Sequence, residues 1–139
     1  MQRTLVDSGP LIALFDANDF YHQKVKMFLT DYQGNLISTW PVITEVSHLL
    51  DFNKEAELDF LRWIISGGVE IANLSIYSLE RITDFIETYS NVPMDLADAS
   101  IMYVAEELDI QSVVTLDTDY YIYRTKKKKA LNNLLTPFL

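Results

Sequence analysis

The amino-acid sequence predicts an α/β domain, a parallel sheet with helices on both faces. Two observations lead to that expectation. Short apolar runs such as Thr4-Leu5-Val6 and Ser112 to Leu116 read as buried strands, and they alternate with longer segments of helical periodicity. Turn-forming clusters, Ser8-Gly9-Pro10, Gly34-Asn35, Gly67-Gly68 and Asn91-Val92-Pro93, separate the two kinds of segment. No internal repeat or linker interrupts the alternation. At 139 residues, 49% of them hydrophobic, the chain fits one domain over residues 1–139 with a core of its own.

Taken in order, Thr4-Leu5-Val6 is the first strand, and Leu11 to Phe15 begins a helix with Pro10 near its start, where proline is tolerated. Asp19 to about Tyr32 repeats Val25, Phe28 and Leu29 at helical spacing before Gly34-Asn35 ends it. Leu36 to Thr39 is a second strand. Pro41 then opens a helix whose apolar face is Val42, Val46, Leu49 and Leu50, with Glu45 one turn before Leu49. A helix from Lys54 to Ile65 carries Leu58, Leu61 and Ile65 in register and closes at Gly67-Gly68. Val69 to Ala72 is a short strand, Ser78 to Tyr89 a helix, Leu96 to Leu108 a strongly helical segment, and Ser112 to Leu116 a buried strand. Leu134-Leu135 and Phe138-Leu139 are the candidates for a last edge strand.

Composition excludes several kinds of chemistry. With no cysteine, there are no disulfides, thiolate metal sites or cysteine nucleophiles, which fits a reducing cytoplasm. No stretch approaches the ~20 apolar residues of a spanning helix, and the N-terminus has no signal-peptide pattern, so neither a membrane nor secretion is expected. A net charge of −9 opposes general attraction to nucleic acid, yet part of that charge would be metal ligands neutralised by bound cations. The basic residues are also clustered: Arg124 and Lys126, Lys127, Lys128 and Lys129 form one run. Two readings of that run are open, a phosphate-contacting edge beside the site and a solvated loop.

Five carboxylates stand in or beside apolar runs, where an ionised group costs several kcal/mol unless something neutralises it. Asp7 ends the first strand, Glu45 interrupts an apolar helix, Asp98 lies in Leu96-Ala97-Asp98-Ala99, and Asp117 and Asp119 follow the Val113-Val114-Thr115-Leu116 strand. In parallel sheets the site lies outside the carboxyl ends of strands, where Asp7 and Asp117 would be. Hard oxygen ligands from separate elements are what Mg²⁺ or Mn²⁺ requires. Each residue alone also has a structural reading: a strand-to-helix turn for Asp7, an exposed helical carboxylate for Glu45, a first-turn helix acid for Asp98, turn formation for Asp117 and Asp119. Only the combination favours a metal site.

The order Leu-Val-Asp7-Ser-Gly-Pro, Thr44-Glu45, Asp95-Leu-Ala-Asp98-Ala and Thr115-Leu-Asp117-Thr-Asp119-Tyr resembles the PIN-domain nucleases, and among them the VapC-type toxins of bacterial toxin–antitoxin pairs and their close relatives. The resemblance runs from Asp7 to Arg124. It implies a three-layer α/β/α sandwich with a mostly parallel central sheet and an acidic pocket that uses Mg²⁺ or Mn²⁺, two ions per site, to cut RNA phosphodiesters. Carried over by position, Asp7, Glu45, Asp98 and Asp117 would be catalytic metal ligands, and Asp119 a more variable one acting directly or through water. Asp95 would support Asp98 or cap its helix, and Ser8 and Thr115 would orient ligands or make turn hydrogen bonds. The expected mechanism is in-line attack by metal-activated water, leaving 5′-phosphate and 3′-hydroxyl ends.

His22 and His48 are read as structural, with His48 one turn from Glu45. Phe15, Phe20, Tyr21, Trp40, Phe52, Phe60 and Trp63 read as core or interface, and Tyr120, Tyr121 and Tyr123 as packing residues with base stacking as the alternative. The helices Val42 to Phe52 and Leu58 to Ile65 carry more apolar surface than one small sheet needs, so a homodimer and an antitoxin segment in a groove are expected partners beside the RNA substrate. A partner's Arg would inhibit by pairing with Asp7, Glu45 or Asp98. Competing functions are an inactive PIN-like interaction module, a housekeeping RNA-processing nuclease, and phosphoryl transfer through an Asp7 nucleophile. The last lacks the acid or base it needs two residues on, where Gly9 stands.

Overall fold

The computed structural model describes residues 2–139. Five strands form one sheet in the order β3-β2-β1-β4-β5, and every pairing is parallel. They are β1 (Arg3–Val6), β2 (Asn35–Ser38), β3 (Glu70–Ile71), β4 (Ser112–Val114) and β5 (Asn132–Asn133). Successive residues of a strand face opposite sides, and Leu5 and Val6 in β1 and Val113 and Val114 in β4 are all buried, so both faces of the sheet centre are covered. The α/β/α sandwich is therefore present, with a sheet parallel throughout rather than mostly so.

Six helices supply the covering layers: α1 (Ser8–Phe15), α2 (His22–Asp31), α3 (Trp40–Leu49), α4 (Lys54–Ile65), α5 (Ser78–Thr88) and α6 (Leu96–Glu107). α1 packs against α2, α3 and α4, while α6 packs against α3 and α5. At the end of α4, Gly67 turns the chain at φ +92°, and Gly68 lies so close to the Trp63 indole that a Cβ would collide with it. α6 starts on a reciprocal capping box between Asp95 and Asp98.

Two elements differ from their sequence expectation. The last strand is Asn132–Asn133, not Leu134-Leu135 or Phe138-Leu139; Thr136–Phe138 is instead a 3₁₀ turn, with Phe138 edge-on to Phe28 at 5.7 Å. Polar Asn133 is admitted to a buried strand because its amide oxygen accepts from the Thr115 and Leu135 N–H groups and its amide nitrogen donates to the Thr115 carbonyl. In α4 the inward residues are Ala56 and Phe60, whereas Leu58 and Ile65 face out, Ile65 at 84% exposure. α4 carries apolar residues around much of its circumference, so periodicity alone left two faces to choose from. In α3, Val42, Val46 and Leu50 are buried as expected, and Leu49 is exposed.

The strand order positions the site. From β1 the chain moves outward through β2 and β3, then returns to the other side of β1 for β4 and β5. The crevice between β1 and β4 at their carboxyl ends is a topological switch point, the place where α/β sheets bind ligands.

Candidate active site

Asp7 is the first residue beyond β1. Its backbone N–H donates to the Val114 carbonyl at 3.0 Å, tying it to β4 across the switch point. The carboxylate is buried: Oδ2 accepts a hydrogen bond from Thr115 Oγ1 at 3.0 Å, and Oδ1 has no partner among the described residues. Thr115 Oγ1 also accepts from the Asp117 backbone N–H at 3.0 Å, so one hydroxyl sets both Asp7 and the turn that carries Asp117.

Thr115 is itself held by Asn133. Asn133 Oδ1 accepts from the Thr115 N–H at 3.2 Å and its Nδ2 donates to the Thr115 carbonyl at 3.0 Å. Sequence reasoning missed this residue, since nothing local marks a partnership across 18 positions.

Asp98 reaches the crevice from the first turn of α6. Its backbone N–H donates to Asp95 Oδ1 at 2.8 Å, and its own Oδ2 accepts from the Asp95 N–H at 3.3 Å. Oδ1 accepts from the buried Tyr120 hydroxyl at 3.3 Å. Tyr120 is thus a packing residue, as expected, with a contact to the acidic group that the sequence did not reveal. Asp117 caps the 3₁₀ helix Thr118–Tyr121 by accepting from the Asp119 N–H at 2.9 Å.

Asp7, Asp98 and Asp117 each place one carboxylate oxygen within 4.8 Å of the others, the spacing of a shared cation. Glu45, half-buried on α3, stands outside this trio but close enough for its charge to act on Asp7. Asp119 is also outside it. The five expected ligands are therefore a group of three with two flanking carboxylates. Ser8 contributes its backbone N–H, which favours ionised Asp7.

The electrostatics are those of unneutralised negative charge. Burial, with the charges of Asp117 and Glu45 beyond it, pushes Asp7 up to about 6. Burial and then the Asp7 charge push Asp98 up to about 8. Asp119 is raised by desolvation and by Asp117. Burial and the same acids hold the Tyr120 hydroxyl well above its ordinary range, so it stays a hydrogen-bond donor. Among the described residues none of the ion pairs includes Asp7, Asp98 or Asp117. A buried carboxylate oxygen without a partner, two protonation-prone acids and an all-oxygen donor set fit a hard divalent cation.

The basic run is elsewhere. Lys126 N–H donates to Glu106 at the end of α6, Lys127 lies 3.7 Å from Asp109, and Lys126, Lys127 and Lys129 line a groove of about 550 Å³ with Gln2, Gln111 and Asn132. Gln2, Gln111 and Asn132 mark the amino ends of β1, β4 and β5, so the run lies away from the carboxylates: β5 pairs parallel with β4, and the chain between Asp119 and Asn132 must return to the amino edge. Arg124 turns its guanidinium onto the Tyr121 and Tyr123 carbonyls at 2.6 and 3.0 Å. His22 is structural, its Nδ1 2.7 Å from the Ala13 carbonyl, and His48 is exposed beside Asp51.

No family model matches the chain. Among proteins of known function it is similar to ribonuclease VapC26 of Mycobacterium tuberculosis, 25% identical over 119 residues that make up 84% of this chain and 88% of that protein. Among solved structures it is similar to M. tuberculosis VapC20, described as a sarcin-ricin loop cleaving toxin, with a TM-score of 0.79 and 18% identity over 86% of this chain and 93% of that one. A toxin–antitoxin complex from Klebsiella pneumoniae matches with a TM-score of 0.63 and 23% identity over 83% and 87% of the two chains. A protein of Pyrobaculum aerophilum matches with a TM-score of 0.59 and 21% identity over 99% and 96%.

Proposed function

From a chain that resembles VapC-type PIN-domain proteins in sequence and shares their fold, we propose a divalent-metal-dependent endoribonuclease, the toxin of a toxin–antitoxin pair. The observation that carries this reading is the convergence of Asp7, Asp98 and Asp117 at the switch point, with Asp7 Oδ1 buried and unpartnered. Asp7, Asp98 and Asp117 would hold Mg²⁺ or Mn²⁺, and Glu45 and Asp119 would complete a second position. When bound, such ions lower the pKa of water and neutralise the phosphoryl oxygens.

The chain's own residues prepare for that. Thr115 fixes the Asp7 carboxylate and the Asp117 backbone together, so the two cannot drift apart without breaking one of its hydrogen bonds. Tyr120 and the Asp95 amide orient Asp98. Glu45 and Asp119, outside the trio, flank it from α3 and from the turn after β4 and would complete the donor set around the cations. Water attacks phosphorus in line, the bond to the 3′ oxygen breaks, and the proton lost by the water is returned through solvent to the leaving 3′ oxygen, giving 3′-hydroxyl and 5′-phosphate ends.

End-group analysis of the products tests this mechanism. Ends that are substrates for ligation through a 5′-phosphate support it, and 2′,3′-cyclic phosphates would refute it, because they require the RNA 2′-hydroxyl as nucleophile.

The same reading carries an antitoxin partner, a homodimer and a cytoplasmic location. No helix among the described residues is long and apolar enough to cross a membrane. Leu49, Phe52 and Ile65 are exposed on and around α3 and α4, a surface of the kind that protein partners cover. A partner's Arg directed at Asp7, Glu45 or Asp98 would block the site. Growth arrest on induced expression, relieved by the product of the neighbouring reading frame, separates a toxin from a housekeeping RNA-processing nuclease.

A further inference from the structure

α3 begins at the carboxyl edge of the sheet with Trp40, immediately after β2 and buried Thr39. Trp40 is 59% exposed and has no aromatic or cationic partner among the described residues. The chain's other tryptophan, Trp63, packs against Phe15 with ring centroids 5.4 Å apart. Trp40 walls a shallow depression whose other lining is Pro41, Thr44, Glu45, His48, Asp95, Leu96 and Ala97. Glu45 and Asp95 connect it to the carboxylate crevice, since Glu45 acts on Asp7 and Asp95 bonds Asp98. On the other side of the same helix, Trp40, Thr44 and His48 line a second depression together with Ser47, Lys54 and Glu57. Trp40, Thr44 and His48 are spaced by four, so they form one exposed ridge along α3 between the two hollows.

We propose that Trp40 is the stacking platform for an unpaired nucleobase next to the scissile phosphate, with Thr44 and His48 continuing the track along α3. The inference rests on the ribonuclease reading and adds a residue that positions the base beside the cut. An indole face open to water beside a site for phosphate presents what a base needs, a flat apolar surface, with hydroxyl and imidazole groups one and two turns on for its polar edge. The acidic rim favours a neutral ring over the anionic backbone, which leaves the phosphate to the carboxylate crevice and its cations. Only a base released from pairing can turn onto the indole, so engaging Trp40 requires an unpaired nucleotide at that position.

Two readouts test the proposal. Trp63→Phe leaves Trp40 as the sole fluorophore, because the chain has two tryptophans. Its emission, read in stopped flow with Mg²⁺, is expected to be quenched by a short single-stranded RNA, weakly by the same strand in a duplex, and weakly by a strand carrying abasic residues. In steady-state cleavage, Trp40→Ala is expected to raise KM about tenfold with kcat nearly unchanged, and Trp40→Phe to restore most of the loss.

Unchanged emission with every RNA, or an unchanged KM for Trp40→Ala while the wild type cleaves, would overturn the platform and leave the nuclease intact. A fall in the mass measured by light scattering for Trp40→Ala, without any response of the emission to RNA, would assign the ridge to a protein interface and overturn it as well. A wild type that cleaves no RNA would remove the ribonuclease reading, and the emission titration would then decide the base platform by itself.

Discussion

Asp7 is the most deeply buried of the three converging carboxylates. It takes up its proton near pH 6 in the folded protein against 3.8 in the ordinary range, so the folded chain binds a proton more tightly than the unfolded one. For a raised acid, the stability is full below the unfolded value and declines as pH rises through the folded value. Metal-free protein is therefore expected to lose on the order of 3 kcal/mol between pH 4 and pH 7 from Asp7 alone, with Asp98 extending the decline toward pH 8. Asp7→Asn keeps the shape and removes the charge. In EDTA at pH 8 it should unfold at higher denaturant than the wild type while being inactive, and a lower midpoint would contradict the strain. Added Mn²⁺ should raise the Tm of the wild type and leave that of Asp7→Asn nearly unmoved. The positions of Asp7 and Asp117 were legible, because a carboxylate ending an apolar run needs only its neighbours to be noticed. That three of five acids converge and two flank was not legible, since the spacing between elements follows from sheet order and from contacts such as Asn133 to Thr115.

α6 shows how one helix terminus serves folding and the site together. Asp95 accepts from the Asp98 N–H, so Asp95→Ala should cost about 1 kcal/mol of stability, read by denaturant unfolding, and should lower cleavage in part by freeing Asp98. An unchanged stability would mean the cap is dispensable. α4 gives the opposite lesson. Phe60 is fully buried and edge-on to Phe15 at 5.5 Å, so Phe60→Ala should cost about 3–5 kcal/mol, whereas Ile65→Ala should stay within about 0.5 kcal/mol for the isolated monomer. The sequence showed that α4 was a helix and where it stopped, because Gly67-Gly68 closes it. It did not show which face was inward, because Leu58, Leu61 and Ile65 match helical spacing as well as Ala56 and Phe60 do. β5 was misplaced for a related reason: two adjacent leucines look more strand-like than two asparagines until the Asn133 side chain is seen to pair with Thr115.

The molecule keeps its lysine run away from its carboxylate trio. The carboxyl edge of the parallel sheet gathers the acids, and the amino edge carries Lys126, Lys127 and Lys129 around a groove, against a net charge of −9. Glutamine at those three lysines should leave kcat on a short oligonucleotide unchanged, and any rise in KM should appear only with long RNA and vanish at high salt. A tenfold loss of kcat on the short substrate would place the run in the site after all. The alternation of strands and helices made the sheet predictable, but the distance of the lysines from the acids follows from β5 running parallel to β4, which returns the chain to the amino edge after Asp119. The nuclease reading is decided by end-labelled total RNA incubated with the purified chain in Mg²⁺, Mn²⁺ or EDTA, beside Asp7→Asn and Asp98→Asn. Discrete cuts that need the metal and disappear in both variants are the predicted result. No cleavage with any metal, or equal cleavage by the variants, would contradict it.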